Sequence, residues 1–169
     1  MSPIKDEIKQ GRPFRSRGQE GLLSLLRTAD QLKRDLASVV EPHGLTLQQF
    51  NVLRILRGSG SKGLPTLEIA ERMIEQTPGI TRLLDRLEKK ALVRRARCPE
   101  DRRQVLVAIT LGGLRLLAGL DGPVDGADNA LLARLGSRRT ITLIRLLDAV
   151  RNEPARRPGS SCSSKEKKA

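Results

Sequence analysis

The chain has 169 residues, 38% of them hydrophobic and 30% charged, which suits one soluble globular domain with a real core. Its 32 Lys/Arg against 19 Asp/Glu leave +13 at neutral pH, the balance of a chain with a polyanionic partner or of one with a basic solvated surface. One histidine (His43), two distant cysteines (Cys98 and Cys162) and no Trp or Tyr argue against a zinc site, a disulfide framework, most histidine catalysis and the aromatic platforms of single-strand binders.

Residues 1–18, polar throughout, read as a flexible arm without the apolar core of a signal peptide; with no apolar run of the roughly 18 residues needed to cross a membrane, a cytoplasmic location is expected. Over 20–41 the apolar residues Leu22, Leu26, Ala29, Leu32, Leu36, Val39 and Val40 fall on one face of a long helix, ended by Pro42 and Gly44. Thr46 caps a second helix, with Gln49 placed to complete a capping box, and Phe50, Leu53 and Leu56 form its apolar face. After the loop GSGSKG, Thr66 is the expected cap of a short third helix carrying Leu67, Ile69, Ala70 and Met73.

Thr77 is the expected cap of a fourth helix, with Pro78 at its first position, where a missing N–H costs nothing. Ile80, Leu83, Leu84 and Leu87 would face the core; Thr81, Arg82, Asp85, Arg86, Lys89 and Lys90 would not. VRRAR and QVLVAI alternate as two strands of a hairpin, with CPEDRR at its tip. Thr110 caps a fifth helix, which Gly119, Gly122 and Pro123 should kink or interrupt. A last helix from about 137 to 151 puts Ile141, Ile144, Leu147 and Val150 on one face, and 154–169 reads as a disordered basic tail.

The predicted fold class is therefore mostly α with a small two-stranded β wing: a winged helix-turn-helix. The fourth helix is the recognition candidate. Its N-terminal end would enter the major groove, where donor and acceptor patterns distinguish base pairs. Gln76, Thr77, Thr81 and Arg82 can hydrogen-bond there, Gly79 permits close backbone approach, and Pro78 and Arg86 belong to the same surface. The unpaired N–H groups of the helix start also suit a phosphate. Arg102 and Arg103 at the wing tip are read as contacts to the minor groove or its phosphates, and Asp101 as the carboxylate that orients them. Residue by residue, Thr77 could merely cap and Arg82 merely solvate. The clustering of nine Lys/Arg against four Asp/Glu over 82–103 favours the DNA reading.

TPGITRLLDRLEKKALVRR followed by DRRQVLVAITLGG, with LTLQQFNVLRIL before it, resembles the MarR family of bacterial transcription regulators over about residues 20–150. The resemblance joins the recognition helix, a D-R-R wing, a strand ending in Thr110 and a glycine, Gly113, three residues on. It implies a MarR-like domain over 19–153. Residues 45–109 would be the DNA-binding module, and 19–44 and 110–153 dimerisation helices. It further implies a homodimer on double-stranded DNA that reads a pseudo-palindromic operator, represses, and is released by a small-molecule effector or an oxidant. No cofactor, metal or membrane is implied. Cys98 replaces the family's common wing Asp; its arginine neighbours favour a thiolate if they are close, though an incidental exposed cysteine is the simpler reading. Ala91 stands where the family usually has Gly, which implies a helix end closed without a left-handed residue. His43 would lie near the family's ligand cleft.

Two rivals remain. A non-specific basic DNA- or RNA-binding protein explains the charge and the Lys-rich tail but not the polar recognition end. An enzyme is disfavoured: Glu68 and Glu71 read as ordinary solvated acids, and no nucleophile–base pair or phosphate loop is present in the sequence.

Overall fold

In the computed structural model, residues 3–76, 78–97 and 104–152 are described. The order is α1 (Pro3–Glu7), α2 (Arg17–Val40), a 3-10 turn (Glu41–His43), α3 (Leu47–Gly58), β1 (Leu64–Pro65), α4 (Thr66–Arg72), α5 (Ile80–Lys89), β2 (Val93–Arg97), β3 (Val105–Ile109), α6 (Leu111–Ala133) and α7 (Gly136–Asn152). The described residues fall into two compact units, divided after Leu131. None of the described helices is long and apolar enough to cross a membrane.

Local chemistry sets most boundaries. The capping box forms: Gln49 N–H donates to Thr46 Oγ1 at 3.3 Å, and Thr46 N–H donates to Gln49 Oε1 at 3.2 Å. Gln49 is therefore buried and satisfied at once. Thr110 Oγ1 accepts from Gly113 N–H at 3.1 Å and donates to the Ala91 carbonyl at 2.7 Å, so the start of α6 is tied to the end of α5. Gly113 has to be glycine there, since a Cβ would lie 2.4 Å from the Leu92 carbonyl oxygen and 2.7 Å from Ile109 Cγ1.

Several expectations change. Residues 3–7, read as part of an arm, form α1, and its Ile4 is buried; Ser16 then caps α2 by accepting from Gln19 N–H at 3.1 Å. Thr66 is the first residue of α4, with Pro65 at the cap. The sheet has three strands in the order β1-β3-β2, because Leu64 and Pro65 pair with Val107 and Leu106 beside the expected hairpin. Pro123 neither ends nor interrupts α6. Proline's ring clashes with the Cβ of the residue before it, and Gly122 has none. Burial of Leu117, Leu120 and Val124 on either side then holds the helix together.

Ala91 departs from expectation too. It adopts the left-handed conformation, φ +56°, despite its Cβ. Ala91 N–H reaches the Glu88 carbonyl at 2.8 Å and Leu92 N–H the Leu87 carbonyl at 3.0 Å. These two bonds are the pair that a left-handed residue makes possible at a helix end.

The core lies where α3, α4, α5, β3 and α6 meet. Val52, Leu53 and Leu56 of α3, Ile69 of α4, Leu84 and Leu87 of α5, Val107 of β3, and Leu117 and Leu120 of α6 are fully buried. Each contributes on the order of 2 kcal/mol relative to exposure. Together they fix how α5 and the sheet sit on α3. Arg57 Nη1 adds a tie from α3 to α6, donating to both carboxylate oxygens of Asp121 at 2.9 and 2.8 Å. That hydrogen bond, with the guanidinium charge, holds the Asp121 carboxyl below its ordinary range and raises Arg57.

Candidate nucleic-acid interface

The candidate recognition helix, α5, begins later than the sequence suggests. Its cap is Gly79, at φ +86°, and the first helical residue is Ile80. Pro78 therefore lies in the preceding turn instead of the first helical position. Buried Leu84 and Leu87 anchor one face of α5. The opposite side presents Thr81, Arg82, Arg86 and Lys89 to solvent, and Gln76, Pro78 and Gly79 are exposed just before it.

Four of the expected residues come together. Pro78, Gly79, Arg82 and Arg86 line one open groove with Leu83 and, from the start of α3, Thr46 and Gln48. Thr46 and Gln48 were not anticipated as part of this surface. The capping box at Thr46 was the available signal, because it marks a helix start whose N–H groups point outward.

Strand β2 adds Arg94 and Arg97, both exposed. Among the described residues Arg82, Arg86, Arg94 and Arg97 enter no ion pair. Arg97 pairs with Val105 as the last rung of the hairpin, so residues 98–104 connect the two strands. Thr77, Cys98, Asp101, Arg102 and Arg103 lie outside the described residues, as do Cys162 and the tail from 154.

Arg95, between those exposed arginines, behaves differently. Its guanidinium is directed at α5, 2.6 Å from Asp85 Oδ1 and 3.1 Å from Glu88 Oε2. No local pattern signals this contact, since the three residues belong to a helix and a strand.

A second feature lies between α2, α3 and residues 73–75. A cavity of about 180 Å³ is lined by the apolar residues Leu32, Leu36, Leu47, Phe50, Met73 and Ile74, with Lys33, Gln48, Asn51, Arg54 and Glu75 completing it. Lys33 of α2 pairs with Glu75, and Gln48 donates to the same carboxylate at 3.5 Å. The Lys33 contact holds Glu75 below the ordinary carboxylate range. Arg54 sits 5.7 Å from the centre of the Phe50 ring. His43 is exposed in the 3-10 turn and does not line this cavity.

The sequence pattern of the MarR family matches residues 45–105. The chain is 42% identical to the MarR transcription factor of Planctomyces limnophilus, whose crystal structure superposes with a TM-score of 0.62 over 80% of this chain and 98% of that one. It is 27% identical to the transcriptional regulator FarR of Neisseria gonorrhoeae over 80% of this chain and 91% of that protein. It is 38% identical to YfiV, an uncharacterised regulator of Bacillus subtilis, over 45% of this chain and 46% of that protein, so it spans about half the length of that relative.

Proposed function

Since the chain belongs to the MarR family of DNA-binding transcription regulators, we propose that it is a homodimeric repressor that binds a pseudo-palindromic operator and is released by a small ligand. The observation that carries the DNA reading is the set of exposed arginines that enter no ion pair among the described residues, Arg82 and Arg86 on α5 and Arg94 and Arg97 on β2. Arg82 and Arg86 line a groove whose polar residues can address base edges, and Gln76 and Thr81 are exposed on the same segment. The wing-tip contacts, Arg102 and Arg103 with Asp101 as their clamp, and the Thr77 contact belong to the same proposal.

The dimer reading is supported by apolar side chains left in solvent. On α2, Leu22 is 58% and Leu26 57% exposed; on α7, Ile144 is 53% and Val150 68% exposed. Such side chains in a row on a helix are ordinarily covered by a partner. A two-fold dimer then reads half-sites about one helical turn apart. Repression follows physically if the operator overlaps a promoter that the bound dimer occludes.

The release reading is supported by the cavity between α2, α3 and residues 73–75. Its apolar lining suits a ligand body of about one aromatic ring. The Lys33–Glu75 pair closes part of its lining, and Glu75 is the residue before Gln76, where the DNA-facing segment begins. A ligand that takes Lys33 from Glu75 would remove one ion pair between α2 and that segment. Oxidation of Cys98 would be the alternative trigger, acting at the wing itself.

The test is a selection from random duplex DNA with the full chain at near-physiological salt, with sequencing of the bound pool. Recovery of a two-fold motif with half-sites about one turn apart supports the operator-binding dimer. Uniform binding with a steep salt dependence and no motif would move the reading to a charge-driven DNA or RNA binder.

A further inference from the structure

We propose that Arg95 is a positioning residue that locks the recognition helix to the wing, so that the major-groove and wing contacts keep a fixed spacing. The guanidinium reaches three points on α5: Asp85 at 2.6 Å, Glu88 at 3.1 Å and, from Nη2, the Thr81 carbonyl oxygen at 3.4 Å. Residues 81, 85 and 88 follow one another along a single helix face. Arg95 itself is held in β2 by its register opposite Val107, which is fully buried. One planar fork therefore ties a strand of fixed register to the side of the reading helix. Nη1 meets both acids and Nη2 the Thr81 carbonyl; a lysine ammonium could pair with the acids but lacks the second nitrogen that spans to Thr81.

Arg95 also differs from its neighbours in exposure. Its side chain is 26% exposed, whereas Arg94 and Arg97 are on the open surface. It is thus poorly placed to touch phosphate, and it occupies the two acids of α5 on a helix that has to approach a polyanion. Without it, Asp85 and Glu88 would face the DNA side unneutralised, and the wing could rotate on its short strands.

The inference rests on the DNA-binding reading, and the sign of one charge change separates it from plain electrostatics. The double variant Asp85→Asn/Glu88→Gln makes the protein more positive. If the acids only colour the surface, every DNA is bound more tightly, most of all at low salt. If they are the anchor points of a clamp, affinity for the selected operator falls by about tenfold, the loss expected for one well-placed base contact. Affinity for random duplex stays level or rises. Arg95→Lys, which keeps the charge and loses the fork, should lose operator preference as well. Arg94→Ala should instead weaken all sequences alike, and lower the salt slope by about 0.9 if it makes one phosphate contact.

A second measurement needs no operator. Amide hydrogen exchange of the free protein should speed up over 80–89 and 93–97 in Asp85→Asn/Glu88→Gln, and in Glu88→Gln alone should the double variant fold poorly, while α3 and α6 stay protected. Tighter binding to all DNA, wild-type operator preference in Arg95→Lys, or unchanged exchange in α5 and β2 would each overturn the clamp. Absence of any enriched motif for the wild type would count against the operator reading alone, and the exchange result would still decide on the clamp.

Discussion

Ala91 offers a sharp test of the backbone reasoning. It holds φ +56° at the end of α5, where two backbone hydrogen bonds of 2.8 and 3.0 Å close the helix. For an L-residue with a Cβ this conformation costs about 1–2 kcal/mol. Glycine avoids that cost but has a more disordered unfolded chain, worth about 0.5–1 kcal/mol in the opposite direction. Ala91→Gly should therefore stabilise the protein by roughly 0.5–1 kcal/mol, a rise in Tm of about 1–4 °C for a chain of this size. Lys90→Gly is the register control: Lys90 has φ −85°, so glycine gains nothing there and should cost up to about 1 kcal/mol. Thermal and urea denaturation followed by circular dichroism, at one fixed protein concentration, reads both. A destabilising Ala91→Gly, or a stabilising Lys90→Gly, would refute the left-handed closure.

Three further outcomes are expected. Gly113→Ala should destabilise by about 1–3 kcal/mol, because the new methyl meets a backbone carbonyl 2.4 Å away that cannot swing aside; denaturant midpoints against wild type check this. Leu22→Gln with Leu26→Gln should shift the protein from dimer toward monomer in sedimentation, since side chains 58% and 57% exposed matter little to a lone chain. Asp121 has a carboxyl pKa depressed chiefly by the Arg57 hydrogen bond, so its stabilising effect is present above the ordinary carboxylate range and is lost as pH falls through the depressed value. The urea midpoint of Asp121→Asn should lie below wild type at pH near 7 and converge with it as pH drops below about 4.

What could be read from the sequence was what short-range chemistry decides. Thr46 and Gln49, three residues apart, announce a capping box; Thr110 and Gly113 announce the start of α6; alternation in VRRAR and VLVAI gives the hairpin. What was hidden depends on distant partners or on competition between local signals. β1 is two residues long and exists only because Leu64 meets Val107, 43 positions away. The Thr77-Pro78 signal pointed to an earlier start for α5, and the left-handed Gly79 sets it instead. Pro123 is a strong breaker, outweighed here by Gly122 before it and buried leucines around it. For the site, exposed arginines could be guessed from composition and place, but the inward turn of Arg95 could not, since its partners are 7 and 10 residues away on another element.

Among the described residues, the strand order β1-β3-β2 leaves β2 with one unpaired rim. A free strand rim invites a second chain to add on, the first step toward sheet-like aggregates, and bulky charge along it is a common deterrent. In β2 that charge is Arg94 and Arg97, with only Val93 buried. The arginines proposed to serve DNA would thus also keep the hairpin from zipping onto its neighbours. Replacing them with apolar residues to retune binding should first show itself as loss of solubility during expression, before any change in sequence preference is measured.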